Sequence, residues 1–201
     1  MHAYDTQKGK CVSITSGEIH VTRENCVIIS TVLGSCVSAC LFDPVTGIAG
    51  MNHFMLSNHR YTNKMPLCLT EAGRYGVFAM EILINEMLKQ GALRKNLVAK
   101  AFGGGSIMRT GERNDNFFCV GDVNAKFILE FLDTERIHLA AHDLGGDTGR
   151  VVHFNTRTYA ASVKKIQQTD SHEVVSKEWS LWKSQVEAHL YEKNRIDLWR
   201  A

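Results

Sequence analysis

The chain has 201 residues, enough for one domain or one domain with an appendage, and its 44% hydrophobic and 22% charged content is globular rather than disordered. A net charge of +2 creates no strong field to recruit nucleic acid or an anionic membrane, and no apolar run approaches the ~20 residues of a membrane-spanning helix. The opening MHAYDTQKGKCVSI has no signal-peptide core, so the six cysteines are expected to be reduced thiols of a cytoplasmic protein, not a disulfide framework.

In chain order, residues 18–21, 26–32, 37–42 and 48–54 read as short strands, rich in Val, Ile and Cys and separated by turn residues. Asp43-Pro44-Val45-Thr46-Gly47 joins the last two as a β-hairpin, with Pro fixing φ and Gly available for a left-handed position. A helix follows, N-capped by Thr70 and stopped by Gly91, with Ala72, Ala79, Met80, Leu83 and Met87 along one face. Residues 97–102 read as a strand that runs into Gly103-Gly104-Gly105. A second helix starts near Asp122, where Val123, Phe127 and Phe131 recur every four residues and Ile128 and Leu132 widen the face. Strands 137–142 and 151–154 then flank the loop 143–147. After about residue 168, Val175, Trp179, Trp182, Val186 and Leu190 mark an amphipathic C-terminal helix, packed on the domain or docked on a partner. The order strands, helix, strand, helix, strands favours an α+β layered domain over alternating α/β. It divides the chain into a domain over 1–168 and a helical extension over 169–201.

Cys36 follows a Gly34-Ser35 turn and opens a strand, and thiol catalysis needs a base close by to form the thiolate. If the hairpin closes around residues 43–47, Cys36 faces residue 53, 54 or 55 according to turn type, and His53 falls in that window. A one-residue register error would turn His53 to the other face. Cys40 lies on the same face ~13 Å further along, too far for a disulfide or a shared zinc. Cys26 is not placed by this argument, and a metal site made of one of these thiols with His53 and His59 is the weaker alternative. Gly34 and Ser35 are placed to let successive N–H groups form an oxyanion-binding nest, or Gly34 simply serves the turn.

These residues also resemble a known family. STVLGSC (30–36), FDP (42–44), GMNHFML (50–56), RYG (74–76), KAFGGGSIM (100–108), GERN (111–114) and DLGGDTGRVVHFNTRT (143–158) resemble, in order, the chemoreceptor glutamine deamidases, the CheD family of bacterial chemotaxis. The resemblance covers roughly residues 10–166. It implies an α/β/β layered fold similar to the deamidase domain of cytotoxic necrotizing toxins, and a Cys–His–Thr set. In that set Cys36 is the nucleophile and His53 the base. The family threonine six residues before the cysteine is Ser30 here, with Thr31 beside it; since neighbours on a strand face opposite ways, only one can orient His53, and the offset favours Ser30. Ser57, His142 and Tyr159-Ala160 also depart from the family pattern. The implied reaction is hydrolysis of a receptor glutamine through a thioester, with no cofactor and no metal, and with glutamate methyl esters as further substrates. The implied partners are the cytoplasmic helices of methyl-accepting receptors and, in some lineages, a CheC phosphatase. Gly103–Gly105 and Gly145-Gly146 are expected at the rim that admits the substrate helix; neither fits a P-loop or dinucleotide fingerprint. The alternative to an enzyme is a non-catalytic regulator that docks receptors or CheC through the same cleft.

Overall fold

A computed structural model describes residues 2–6, 9–56, 71–106 and 120–166, together with Ser176 and Ser180. Ten strands form two five-stranded sheets. The first has the order β1 (His2–Thr6), β2 (Gly9–Ser13), β4 (Val27–Leu33), β9 (Arg150–Asn155), β10 (Ala161–Lys165). The second has the order β3 (Ile19–Thr22), β6 (Ile48–Asn52), β5 (Val37–Asp43), β7 (Val98–Gly103), β8 (His138–Leu144). Helices α1 (Glu71–Lys89) and α2 (Val120–Thr134) complete the described elements, with a 3₁₀ turn at Arg94–Asn96. Strand pairs are antiparallel except β2 with β4 and β7 with β8.

Two separate cores show why the molecule is layered. Alternate residues of β5 point to opposite faces of the second sheet. Val37, Ala39 and Leu41 pack under the helices with Met80, Leu83, Phe127 and Phe131, while Cys36, Cys40 and Phe42 pack against Val12, Val27, Ile29 and Leu33 of the first sheet. Helices, second sheet and first sheet thus lie in that order, and β5 is buried along its whole length as the middle of the middle layer. The α+β expectation holds in this form.

The predicted elements from residue 18 to 154 all form, with ends shifted by one or two residues. α1 stops where Gly91 (φ 105°) ends it: the Gly91 N–H donates to the Leu88 carbonyl at 2.9 Å and the Ala92 N–H to the Met87 carbonyl at 3.0 Å. In the 43–47 turn, Asp43 accepts from the N–H groups of Val45 and Thr46, and Gly47 takes φ 77°. Strands β1, β2 and β10 were not predicted. They extend the first sheet on both sides, and β2 reaches β4 only by a parallel pairing, Lys10 with Val27 through Ser13 with Ser30. Thr70 and most of the predicted C-terminal helix lie outside the described residues. In that segment Ser176 and Ser180 are helical, and the Ser180 hydroxyl donates to the Ser176 carbonyl.

Candidate active site

The register of the β5–β6 hairpin decides which side chains meet. Cys40 pairs with Met51, Phe42 with Ala49, and an isolated bridge joins Val37 to Phe54. Continuing that register puts Met55 opposite Cys36 and Ser38 opposite His53. This differs by two residues from the alignment that would set Cys36 directly across from His53. A two-residue offset preserves the face, so Cys36 and His53 share the side that looks toward the first sheet as diagonal neighbours.

His53 is held on three sides. Its N–H donates to the Glu18 carbonyl at 3.1 Å, and its carbonyl accepts from the Gly17 N–H at 2.8 Å. Just before it, Asn52 wedges the hairpin: its side-chain oxygen takes the Ala39 N–H at 2.8 Å and its amide nitrogen donates to the Ala79 carbonyl of α1 at 3.3 Å. The third hold is on the ring, where Nδ1 lies 2.8 Å from the Thr31 hydroxyl, whose oxygen is also 2.8 Å from the Ile14 carbonyl. A carbonyl only accepts, so the single Thr31 hydrogen goes to Ile14 and the Thr31 oxygen receives a hydrogen from Nδ1. This chain of two bonds puts the imidazole proton on Nδ1 and leaves Nε2 with its lone pair. Nε2 is buried and has no hydrogen-bond partner among the described residues. Burial pulls the imidazole down from 6.5 to about 4, against a smaller upward pull from the Glu18 carboxylate, so at neutral pH the ring is an uncharged base.

Ser30 does not reach His53. It faces the other side of β4, where its hydroxyl lies 3.8 Å from the Cys11 sulfur. Val27, Ile29 and Leu33 point into the space between the sheets, and residues of the same parity follow them, so Thr31 points in and Ser30 out. The expectation for Ser30 is corrected accordingly: Thr31 is the hydroxyl on the imidazole.

The Gly34–Cys36 loop is pinned from behind. The carbonyl of Gly34 accepts from the Gly105 N–H at 2.7 Å, that of Ser35 from the Asn124 amide at 2.8 Å, and that of Cys36 from the Gly104 N–H at 2.7 Å. In a trans peptide the N–H points opposite to the C=O. The Ser35 N–H is therefore directed away from Gly105, and the Cys36 N–H away from Asn124. Gly103 cannot be replaced cheaply: at φ 108° an added Cβ would sit 2.1 Å from the Cys36 carbonyl oxygen. Gly103, Gly104 and Gly105 are buried, so they back the Gly34–Cys36 loop rather than lining the expected cleft rim. Behind them lies a second loop. The Gly145 N–H donates to Gly103 and the Ser106 N–H to Gly146. The fully buried Arg150 guanidinium organises that loop, donating to Asp143 Oδ1 at 2.7 Å and to the carbonyls of Asp143, Gly145 and Thr148.

Cys36 and Cys40 are both fully buried. Burial pushes the Cys40 thiol far above its ordinary range, which suits a packing role. Tyr75 of α1 overlooks the site, its phenol raised by burial and by the nearby Cys36 sulfur. No local pattern marks the bonds of Asn52, Asn124, Gly104 or Gly105, although the GMNHF and KAFGGGS strings hold three of these four residues and Asn124 stands at helical spacing from Phe127, Ile128 and Phe131. His59, Ser57 and GERN lie outside the described residues.

The geometry stands beside a consistent set of sequence matches. A family model described as CheD chemotactic sensory transduction matches residues 55–165, more than half of the chain. A protein of Geobacter sulfurreducens named probable chemoreceptor glutamine deamidase CheD 1 is 52% identical over 188 residues, covering 94% of this chain and 93% of its own. A protein of the same name from Shewanella oneidensis is 47% identical over 167 residues, covering 83% and 78%. A solved structure of the Bacillus licheniformis hypothetical protein YfiH is similar at a TM-score of 0.36 and 12% identity, covering 72% of this chain and 61% of that one, too distant to bear on fold or function. Half-identity maintained over nearly the full length of both chains leaves one conclusion: the chain belongs to the CheD family.

Proposed function

We propose that the protein is a chemoreceptor glutamine deamidase working through a Cys36 thioester. One observation carries the reading: the Thr31–Ile14 relay holds the His53 proton on Nδ1, leaving a buried, unprotonated Nε2 on the same hairpin face as Cys36. The names of the family relatives supply the substrate class, a glutamine of a chemoreceptor.

In this reading Nε2 takes the Cys36 proton and the thiolate attacks the carboxamide carbon, forming the C–S bond and moving the carbonyl pair onto oxygen. The N–H groups at Ser35 and Cys36, turned forward by the pinned carbonyls, receive that oxyanion; losing one such donor typically lowers the rate ~10²–10³-fold. Collapse breaks the C–N bond as the imidazolium returns its proton to nitrogen and ammonia leaves. Water, deprotonated by Nε2, then adds to the thioester, the C–S bond breaks, and glutamate and free thiol result. A glutamate methyl ester passes through the same acyl-enzyme. Thr31 orients the ring.

The proposed protein is cytoplasmic, with a deamidase domain over 1–168 similar to the necrotizing-toxin deamidases, a helical extension over 169–201 and a CheC-type phosphatase as partner. The decisive experiment is conversion of glutamine to glutamate in a purified receptor cytoplasmic fragment, read by mass spectrometry. Cys36→Ala should abolish conversion with the fold intact by circular dichroism. Conversion retained in that variant would overturn the thiol mechanism. A wild-type protein that binds the fragment without converting it would favour the non-catalytic regulator.

A further inference from the structure

Asn124 lies in the second turn of α2 and is completely buried. The two ends of its carboxamide are committed to two different segments of the site. Nδ2 donates to the Ser35 carbonyl at 2.8 Å, one residue before Cys36, and Oδ1 accepts from the Leu56 N–H at 2.8 Å, three residues after His53. α2 can come this close because of two glycines. A Cβ on Gly121 would lie 2.6 Å from the Gly105 carbonyl oxygen, and one on Gly104 would lie 2.8 Å from the Ala125 Cβ. A buried amide with both ends matched is tolerated, whereas an apolar residue of the same size would strand a carbonyl and an N–H.

We infer that Asn124 is a positioning residue for the thiol chemistry, turning the Ser35–Cys36 peptide so that its N–H faces the developing oxyanion and bracing the nucleophile loop against the segment after β6 that carries His53. The inference rests on the Cys36–His53 reading above. The trans peptide makes the link direct: with the Ser35 carbonyl drawn toward α2, the Cys36 N–H must point away from it, toward the face on which the sulfur attacks. The Ser35 carbonyl takes a bond from the Asn124 side chain, while the neighbouring carbonyls of Gly34 and Cys36 take theirs from the backbone N–H groups of Gly105 and Gly104.

The test is Asn124→Asp in the full chain, which keeps the acceptor for Leu56 but sets a carboxylate against the Ser35 carbonyl. Two reactions of Cys36 are compared. Alkylation by iodoacetamide displaces iodide directly and needs the thiolate but no oxyanion site, while glutamine hydrolysis needs both. The expected result is a fall of about 10²-fold in kcat for hydrolysis, with KM within about twofold and alkylation within about threefold of wild type. The deficit should narrow as pH is lowered, because a protonated carboxyl again donates to Ser35. Should that variant not fold, Asn124→Ala, smaller and uncharged, should show the same split without the acid recovery. Wild-type hydrolysis, or alkylation falling in parallel with hydrolysis, overturns the inference, as does failure of both variants to fold, which would make the amide a strut of the fold. Hydrolysis surviving in Cys36→Ala sinks the thiol reading itself; an inactive Cys36→Ala beside fully active Asn124 variants sinks only the positioning role.

Discussion

Replacing Thr31 by Val keeps the shape of the side chain and removes only its hydroxyl, which makes it the cleanest perturbation of the imidazole. Two bonds of 2.8 Å disappear, stranding the Ile14 carbonyl and the His53 Nδ1–H in a site where both are buried. Each stranded group costs about 1–3 kcal/mol, so the variant should lose roughly 2–4 kcal/mol of stability, with partial relaxation favouring the lower end. The catalytic effect is separate. Without the relay the ring is free to rotate and to carry its proton on Nε2, where it cannot serve as base. Loss of the correct tautomer in a comparable triad lowers kcat by about 10⁴-fold, and here a fall on the order of 10²-fold or more is expected. Deamidation of a receptor fragment, followed by mass spectrometry well below the melting temperature of the variant, separates the two effects. Thr31→Ser should retain most activity because it keeps the hydroxyl. Ser30→Ala should stay within about threefold of wild type, since Ser30 faces Cys11 on the far side of the strand. An inactive Ser30→Ala beside a fully active Thr31→Val would refute the assignment of the relay.

The remaining predictions concern pH, the back wall and the buried cation. Burial holds His53 at about 4 in the folded protein against 6.5 in the unfolded chain, so below 6.5 the unfolded chain takes up the proton first. The stability this represents, about 3 kcal/mol, is fully present above pH 6.5 and is lost as pH falls through 4; urea unfolding of wild type and His53→Gln at several pH values should show the difference only in the wild type. Gly103→Ala, forced to a strained φ with its Cβ 2.1 Å from the Cys36 carbonyl oxygen, should displace the nucleophile loop, lowering thermal stability and abolishing deamidation. An active, stable Gly103→Ala protein would show that the loop adapts. Arg150→Met should destabilise the protein by about 3–5 kcal/mol in chemical denaturation, because it leaves Asp143 and three loop carbonyls without their donor; Arg150→Lys should not restore this, since one ammonium cannot serve that fork. Equal stability of wild type and Arg150→Met would count against the loop being built around the guanidinium.

Local pattern carried the site a long way. The 43–47 turn lies between two strands that are adjacent in sequence, and its Asp, Pro and Gly restrict both the closure and the register. That narrowed the residues facing Cys36 to 53, 54 or 55; the register that forms lies two residues from the one that sets Cys36 opposite His53, and because strand faces repeat every two residues the pair still shares a face. The two helices were legible for the same reason: their apolar spacing and the Gly91 stop are properties of short stretches. What depended on distant partners was not. The β1–β2 pair and the parallel β2–β4 ladder bring residues 2–13 beside residue 27 onward, and nothing within HAYDT or GKCVS states that partner. β4 is apolar at Val27, Ile28, Ile29, Val32 and Leu33, so both of its parities look like core and neither marks Thr31 over Ser30. The packing of the first sheet on the second made that choice. Asn124 is the plainest case: its spacing to Phe127, Ile128 and Phe131 sets one polar residue in the middle of the apolar face of the helix, but only the close approach of α2 over Gly104 and Gly121 shows that its amide meets Ser35 and Leu56. The sequence by itself determined the hairpin and brought Cys36 and His53 to its open end within one residue of a shared face. Tertiary structure decided which hydroxyl sets the tautomer and which groups aim the loop, because those bonds join segments whose closeness exists only once both sheets and α2 have packed.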